Sequence, residues 1–213
     1  AALEVKPRTV VEFSSCDIYG SHKLQPITEG FTPRPDNDYA VTKVLAEREA
    51  MRFHREQGLP VTVIRPTAVY GPRGIYTASL FVGLPCLIRE MGIKKLPLPT
   101  GGLTNNLVHV EDIARSAVHV LNRPEALGRA FNVADKTYIG LADMLHMLLR
   151  AVGIETMELP VRLPSLPVKI AAKAGMFIPE AVFRPFNRFL QKSWDRLLIK
   201  HELDPGFRPR WDK

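Results

Sequence analysis

Two short runs of β-branched and apolar residues, RTVVEFSS at 8–15 and LPVTVIRP at 59–66, flank a longer mixed stretch, DYAVTKVLAEREAMRFHREQG at 38–58. The flanking runs read as buried strands, and the middle stretch has helical composition and spacing. Gly58 is the expected C-cap of that helix, and Asp36 or Asp38 can cap its start. Strand, helix, strand at this spacing suits a right-handed crossover between parallel strands. Downstream, SLFVGLPCLIREMG, HVEDIARSAVHVLNRP and GLADMLHMLLRAVG read as helices joined by Pro/Gly loops, and RAFNVAD at 129–135 as one more strand. The fold class is therefore α/β. From residue 155 the texture changes to apolar, proline-rich sequence with scattered cations, running into LPVRLPSLPVKIAAKAGMFIPEAVFRPF. Such a segment can form an irregular helical cap over a pocket or an interfacial membrane element. Its prolines break the long periodic face that membrane binding needs, which favours the cap.

Composition narrows the class. A chain of 213 residues that is 46% hydrophobic buries a real core as one domain, with or without a small subdomain. Its composition is that of a soluble globular protein, its two cysteines without paired spacing imply a reducing, cytoplasmic setting, and a start at Ala1 with no methionine, signal-peptide pattern or transmembrane run reads as a fragment. Cys16 and Cys86 are the only cysteines, without paired spacing or a Cys/His cluster, which argues against a disulfide scaffold and against a metal site. The net charge of +7 is spread along the chain with few interleaved aromatics, a poor match to a nucleic-acid surface and a better one to attraction for an anionic cofactor or substrate.

The candidate chemistry lies at the strand ends. Tyr39 and Lys43 in YAVTK are four residues apart near the start of the expected helix, so both side chains lie on one face, one turn apart. A phenol is a poor acid at neutral pH, with a pKa of about 10 in water, and a neighbouring ammonium stabilises its phenolate. Ser15 ends a strand at the carboxyl edge of the expected parallel sheet, where open α/β folds bind ligands, and the Tyr/Lys helix begins near the same edge. A hydroxyl donor, a phenol and a cation together suit proton removal from an alcohol as hydride leaves its carbon, or the reverse at a ketone.

FSSCDIYG, then YAVTK with its tyrosine 24 residues after Ser15, then VIRPTAVYGPRG, NNLVHVEDIARS and GRAFNVAD follow one another in an order that resembles the extended short-chain dehydrogenase/reductases, the NAD-dependent epimerase/dehydratase family. The resemblance covers residues 8–153 and implies a Rossmann-like doubly wound parallel sheet with a small C-terminal substrate-binding subdomain. Residues 1–75 would be the later part of the NAD(P)-binding domain and 76–213 mainly the substrate subdomain, with 104–125 and 129–135 returning to the nucleotide-binding core. It also implies that Ser15, Tyr39 and Lys43 are the catalytic set. Ser15 would bond the reacting oxygen, Tyr39 would act as general acid/base, and Lys43 would stabilise the phenolate and hold the nicotinamide ribose. Ser14, Tyr39, Lys43, Pro66, Thr67 and Ala68 would contact NAD or NADP, and Ser15, Cys16, Asp17 and Arg73 the substrate. His109, Glu111 and Asp112 read as structural, His109 as a strand residue and Asp112 as a cap of the next helix.

Three departures from the family pattern stand out. No G-x-G-x-x-G occurs in the sequence, so the pyrophosphate cradle is missing and the first half of the nucleotide-binding domain is expected to lie outside this chain. Where the family's sugar-nucleotide dehydratases have an acid pair, this chain has Cys16 and Asp17, which disfavours dehydration. Ala68 stands where many sugar-nucleotide enzymes have asparagine, and VIRPTAVYG with the apolar tail resembles the 3-beta-hydroxysteroid dehydrogenase-like branch. The expected function is hydride transfer at a secondary alcohol or ketone of a nucleotide sugar or a hydrophobic alcohol. A non-catalytic binding or membrane-associated module that keeps the fold is the rival. The resemblance also implies a homodimer through the Tyr39-bearing helix.

Overall fold

The computed structural model describes residues 2–20, 26–72, 74, 77–101, 104–163 and 180–202. Its elements in chain order are α1 (Ala2–Val5), β1 (Val10–Phe13), a 3-10 turn (Cys16–Tyr19), α2 (Asp38–Gln57), β2 (Val61–Pro66), β3 (Ala68–Tyr70), α3 (Thr77–Glu90), β4 (Lys95–Gly101), β5 (Thr104–His109), α4 (Val110–Leu121), a second 3-10 turn (Pro124–Ala126), β6 (Ala130–Val133), β7 (Tyr138–Gly140), α5 (Leu141–Ala151), β8 (Glu155–Leu163) and α6 (Glu180–Lys200). They group into two compact units, one of residues up to Val69 with Asn106–Lys136, the other of Tyr70–Asn105 with the described residues from Thr137 onward.

The first unit is built on a parallel sheet in the order β1-β2-β6. Val10 aligns with Val61 and Phe13 with Ile64, while Val63 aligns with Ala130 and Pro66 with Val133. All six residues of the central strand β2 are buried, which is why VTVIRP reads as a continuous run and not as an alternating one. Alternation survives in what each residue touches. Val61 and Val63 pack with Ala50, Met51 and Phe53 of α2, and Ile64 packs with Ala117 and Val120 of α4. One helix thus covers each face of the sheet.

The capping differs from expectation in two places. The N-cap of α2 is Asn37, whose side-chain oxygen accepts the Ala40 N–H at 2.8 Å; neither Asp36 nor Asp38 takes that place, because Asn37 is the residue with extended backbone at the helix entry. The N-cap of α4 is His109, which ends β5 and accepts the Glu111 N–H on Nδ1 at 3.3 Å, so Asp112 lies inside the first turn. Gly58 closes α2 in the left-handed conformation at φ 67°, as its position in the sequence predicts.

The second unit pairs β4 with β8 in parallel, with a register shift between Leu98 and Thr100, and packs α5 against both strands and against α3. The proline-rich texture therefore begins as a strand, β8, where an irregular cap was expected: Glu155–Glu158 align with Lys95–Leu98, so residues that lack helical periodicity find a partner for their backbone. Residues 164–179, which carry most of the apolar, proline-rich stretch, lie outside the described residues. None of the helices among the described residues is long and apolar enough to cross a membrane.

Candidate active site

β1 ends at Phe13, and the chain then enters the 3-10 turn through Ser14 and Ser15. Ser15 is the N-cap of that turn. Its Oγ accepts the Asp17 N–H at 3.1 Å, a role that uses an oxygen lone pair and leaves the hydroxyl hydrogen available as a donor. Ser14 donates its backbone N–H to Ile64 at 2.8 Å, and its side chain is only 4% exposed. The Ser14 Oγ has no hydrogen-bond partner among the described residues.

α2 brings the other two candidates to the same strand end. Lys43 donates from Nζ to the Phe13 carbonyl at 2.7 Å, and the same ammonium lies 5.9 Å from the centre of the Tyr39 ring. The four-residue step of the sequence is thus realised as a phenol and a cation together, anchored two residues before Ser15. Tyr39 is 53% exposed.

The remaining expected contacts divide. Pro66 is buried at the end of β2. Thr67 directs its N–H (3.0 Å) and its hydroxyl (3.4 Å) to the Val133 carbonyl, so both donors are engaged within the protein, whereas Ala68 is exposed. Cys16 donates its thiol to the Arg65 carbonyl at 3.1 Å; burial first, and the nearby Asp17 and Glu29 charges, push its pKa up to about 12 against the pull of Arg65. Loss of hydration, and secondarily the Asp36 carboxylate, raise the pKa of Asp17 above the ordinary carboxylate value. Arg73 lies outside the described residues.

A buried polar network beneath this edge was not anticipated from sequence. Arg65 of β2 donates from Nε to Glu47 of α2 at 3.0 Å and from its terminal nitrogens to Glu47, to the Tyr19 hydroxyl (2.6 Å) and to the Glu29 carbonyl (3.4 Å). Tyr19 passes its own proton to Asn132 Oδ1 at 2.9 Å, and Asn132 N–H reaches Glu29 at 2.8 Å. Burial alone would lower the Arg65 pKa; the Glu47 hydrogen bonds and charge outweigh it and hold the pKa above the ordinary value. Two sequence signals existed: an arginine inside the apolar run VTVIRP, and Glu47 four residues beyond Lys43 on the same helical face. A cavity of about 740 Å³ between α4 and β6, lined by Arg115, His119, Arg129 and Phe131 among others, contains none of these residues.

A family model described as "NAD dependent epimerase/dehydratase family" matches residues 1–134. The chain belongs to the NAD-dependent epimerase/dehydratase family. It is 32% identical to the UDP-glucose 4-epimerase of Vibrio cholerae over 130 residues, which are 60% of this chain and 38% of that protein. It is 30% identical to the dTDP-glucose 4,6-dehydratase of Streptomyces griseus over 146 residues, 68% of this chain and 43% of that one. The chain thus spans less than half the length of these two relatives. Among solved structures of this epimerase/dehydratase fold, the UDP-glucuronic acid 4-epimerase from Bacillus cereus in complex with NAD aligns with a TM-score of 0.61 at 23% identity, over 74% of this chain and 52% of that one. The Rossmann-like parallel α/β fold that the family resemblance implies is the fold of this neighbour.

Proposed function

We propose that this chain carries the catalytic hydroxyl–phenol–cation set of an NAD(P)-dependent oxidoreductase or epimerase acting at a secondary alcohol of a nucleotide sugar. The observation that carries the reading is the Lys43 ammonium, held by the Phe13 carbonyl at 2.7 Å and lying 5.9 Å from the Tyr39 ring, at the strand end that continues into Ser15. Ser15 donates its hydroxyl hydrogen to the substrate oxygen and orients it. Tyr39 takes the hydroxyl proton, and the Lys43 charge stabilises the phenolate from which it works.

The residues present fit the nicotinamide end of a dinucleotide. Ser14 offers a buried hydroxyl without a partner among the described residues, Lys43 a donor for the ribose, and Ala68 an exposed strand end. Bound there, the nicotinamide supplies a hydride acceptor. The sequence has no glycine-rich loop, so no residue of this chain is assigned to the pyrophosphate.

Nucleotide-sugar substrates are supported by the likeness to the UDP-glucose and dTDP-glucose enzymes. Oxidation or epimerisation is favoured over dehydration because the thiol at position 16, with its pKa pushed up to about 12, cannot act as half of an acid pair at neutral pH. Val41 and Leu45, both exposed and one turn apart on α2, support a homodimer through that helix, which light scattering tests directly.

The test is titration of NAD(H) and NADP(H) into the natural protein by nicotinamide fluorescence, followed by UDP- and dTDP-hexoses with nicotinamide absorbance as the readout. Cofactor binding with turnover that Tyr39→Phe removes supports the proposal. Wild-type-like turnover in Tyr39→Phe overturns it.

A further inference from the structure

Val61, Val63 and Arg65 project to the same face of β2, because side chains alternate along a strand, and α2 covers that face. The first two pack with Ala50, Met51 and Phe53. At the third, where the row calls for another aliphatic residue, the strand carries a guanidinium whose side chain is 8% exposed. A buried charge is costly unless paired, and a buried pair is ordinarily no more stabilising than an apolar one of similar volume. Stability alone therefore does not account for an arginine here. What arginine adds is direction: apolar contact is non-directional, whereas a planar fork of donors fixes the groups around it.

Those groups belong to the elements that carry the candidate chemistry. The turn that Ser15 opens is fastened to β2 at three points. The Ser14 N–H donates to the Ile64 carbonyl at 2.8 Å, the Cys16 thiol to the Arg65 carbonyl at 3.1 Å, and the Arg65 guanidinium to the Tyr19 hydroxyl at 2.6 Å. Arg65 thus holds both ends of the Cys16–Tyr19 turn, one with its backbone and the other with its side chain. The same guanidinium donates to both carboxylate oxygens of Glu47. Glu47 lies four residues beyond Lys43, which lies four beyond Tyr39, so the three share one stripe of α2. The Tyr19 hydroxyl donates on to Asn132, which aligns with Arg65 in the sheet. A single side chain therefore links the Ser15 turn, the Tyr39 helix and the strands β2 and β6.

We infer, on the oxidoreductase reading above, that Arg65 is a positioning residue of this site, setting Ser15 in place through Tyr19 and setting Tyr39 and Lys43 through Glu47. Proton transfer at the substrate hydroxyl requires Ser15 and Tyr39 to meet one oxygen, and the two come from different elements. Arg65 is enclosed beneath the strand edge and works only through the groups it holds. A misplacement of about 1 Å costs on the order of 10²-fold in rate, so loosening the link acts on kcat.

Two variants of the natural protein separate positioning from stability. Tyr19→Phe keeps the buried ring and removes only the hydroxyl that joins the turn to Arg65. Glu47→Leu/Arg65→Met replaces the ion pair by apolar side chains, a change that is neutral or stabilising for many buried pairs. Amide hydrogen exchange by NMR at Ile18 and Gly20, whose N–H groups close the turn onto the Ser15 and Asp17 carbonyls, reads the turn without reference to activity. Val63, bonded to the Arg129 carbonyl, is the reference for the sheet. The expected result in both variants is exchange about tenfold faster at Ile18 and Gly20 and unchanged at Val63. With UDP- or dTDP-hexose, kcat should fall by about 10- to 100-fold while affinity for NAD(H) or NADP(H) stays within about twofold of wild type. A purely structural pair gives a different split, in which the double variant keeps wild-type activity as long as it keeps its stability. Wild-type exchange at both amides, or wild-type kcat in either folded variant, overturns the inference; Tyr19→Phe decides alone if circular dichroism shows the double variant unfolded. If the wild-type protein turns over neither hexose class, the oxidoreductase reading falls by itself. The exchange rates then decide whether Arg65 holds the Ser15 turn: faster exchange in the variants sustains that role and unchanged exchange ends it.

Discussion

Replacing Glu47 with glutamine tests whether the network beneath the site holds the unit together. The Arg65 and Glu47 side chains are 8% and 12% exposed, so the pair is buried in the sense that matters for its energy. Removing one partner of a buried pair costs about 3–5 kcal/mol, because the other charge is left in a poorly solvated place. Glutamine keeps one acceptor for Arg65, and the Tyr19 hydroxyl and Glu29 carbonyl remain, so the lower end, about 3 kcal/mol, applies. For a chain of this size 1 kcal/mol shifts the melting temperature by about 2–4 °C, which gives a drop of about 6–12 °C by circular dichroism. The Glu47→Leu/Arg65→Met double variant removes both charges and should recover most of that loss, since an apolar replacement of a buried pair is neutral or stabilising by about 1–4 kcal/mol. A single variant that melts within a degree or so of wild type would show that water screens the pair, and the reasoning would fall. Glu47 also lies one turn beyond Lys43, so its loss should lower kcat more than it raises the KM for cofactor.

Three further outcomes are expected. Tyr39→Phe should lower kcat by about 10²- to 10⁴-fold with cofactor affinity retained, whereas Lys43→Met should weaken both; stopped-flow and fluorescence titration separate the two effects. Cys16 is protonated at neutral pH in the folded protein and should resist alkylation by iodoacetamide. Its folded pKa of about 12 lies above the ordinary 9.0, so its stabilising contribution is complete below pH 9 and is lost as pH rises towards 12. Alkaline urea melts of wild type should therefore steepen relative to Cys16→Ala across that window, and parallel curves would contradict the assignment. Gly20→Ala should destabilise by about 1–3 kcal/mol, because Gly20 sits at φ 59° and an added Cβ would collide with the Arg34 carbonyl. An unchanged urea midpoint would count against it.

Much of the first unit was legible in the chain. VVEF and VTVIRP carry the β-branched content of buried strands, and the twenty residues of α2 begin and end close to where their composition changes. Tyr39 and Lys43 could be paired from spacing alone, because a four-residue step in a helix puts two side chains on one face whatever surrounds them. The caps were misplaced by one residue at Asn37 and by three at His109, since Asn, Asp and His beside a helix start offer the same side-chain acceptors and only the local backbone decides which is used. β8 was missed because proline-rich sequence without periodicity gives no sign of a strand; its register against β4 comes from a partner sixty residues earlier.

The sequence by itself determined the period of each buried face, the helix carrying Tyr39 and Lys43, and the serines that follow β1, all of which follow from interactions within a few residues. The tertiary structure decided that Lys43 is tied to the Phe13 carbonyl, that the Cys16 thiol donates to the Arg65 carbonyl, and that Arg65 finds Glu47, Tyr19 and Glu29 in one buried network. Those contacts join residues 18 to 49 positions apart, brought together only when β1, β2 and α2 pack. Their energies depend on exclusion from water, which no local reading of the chain can supply.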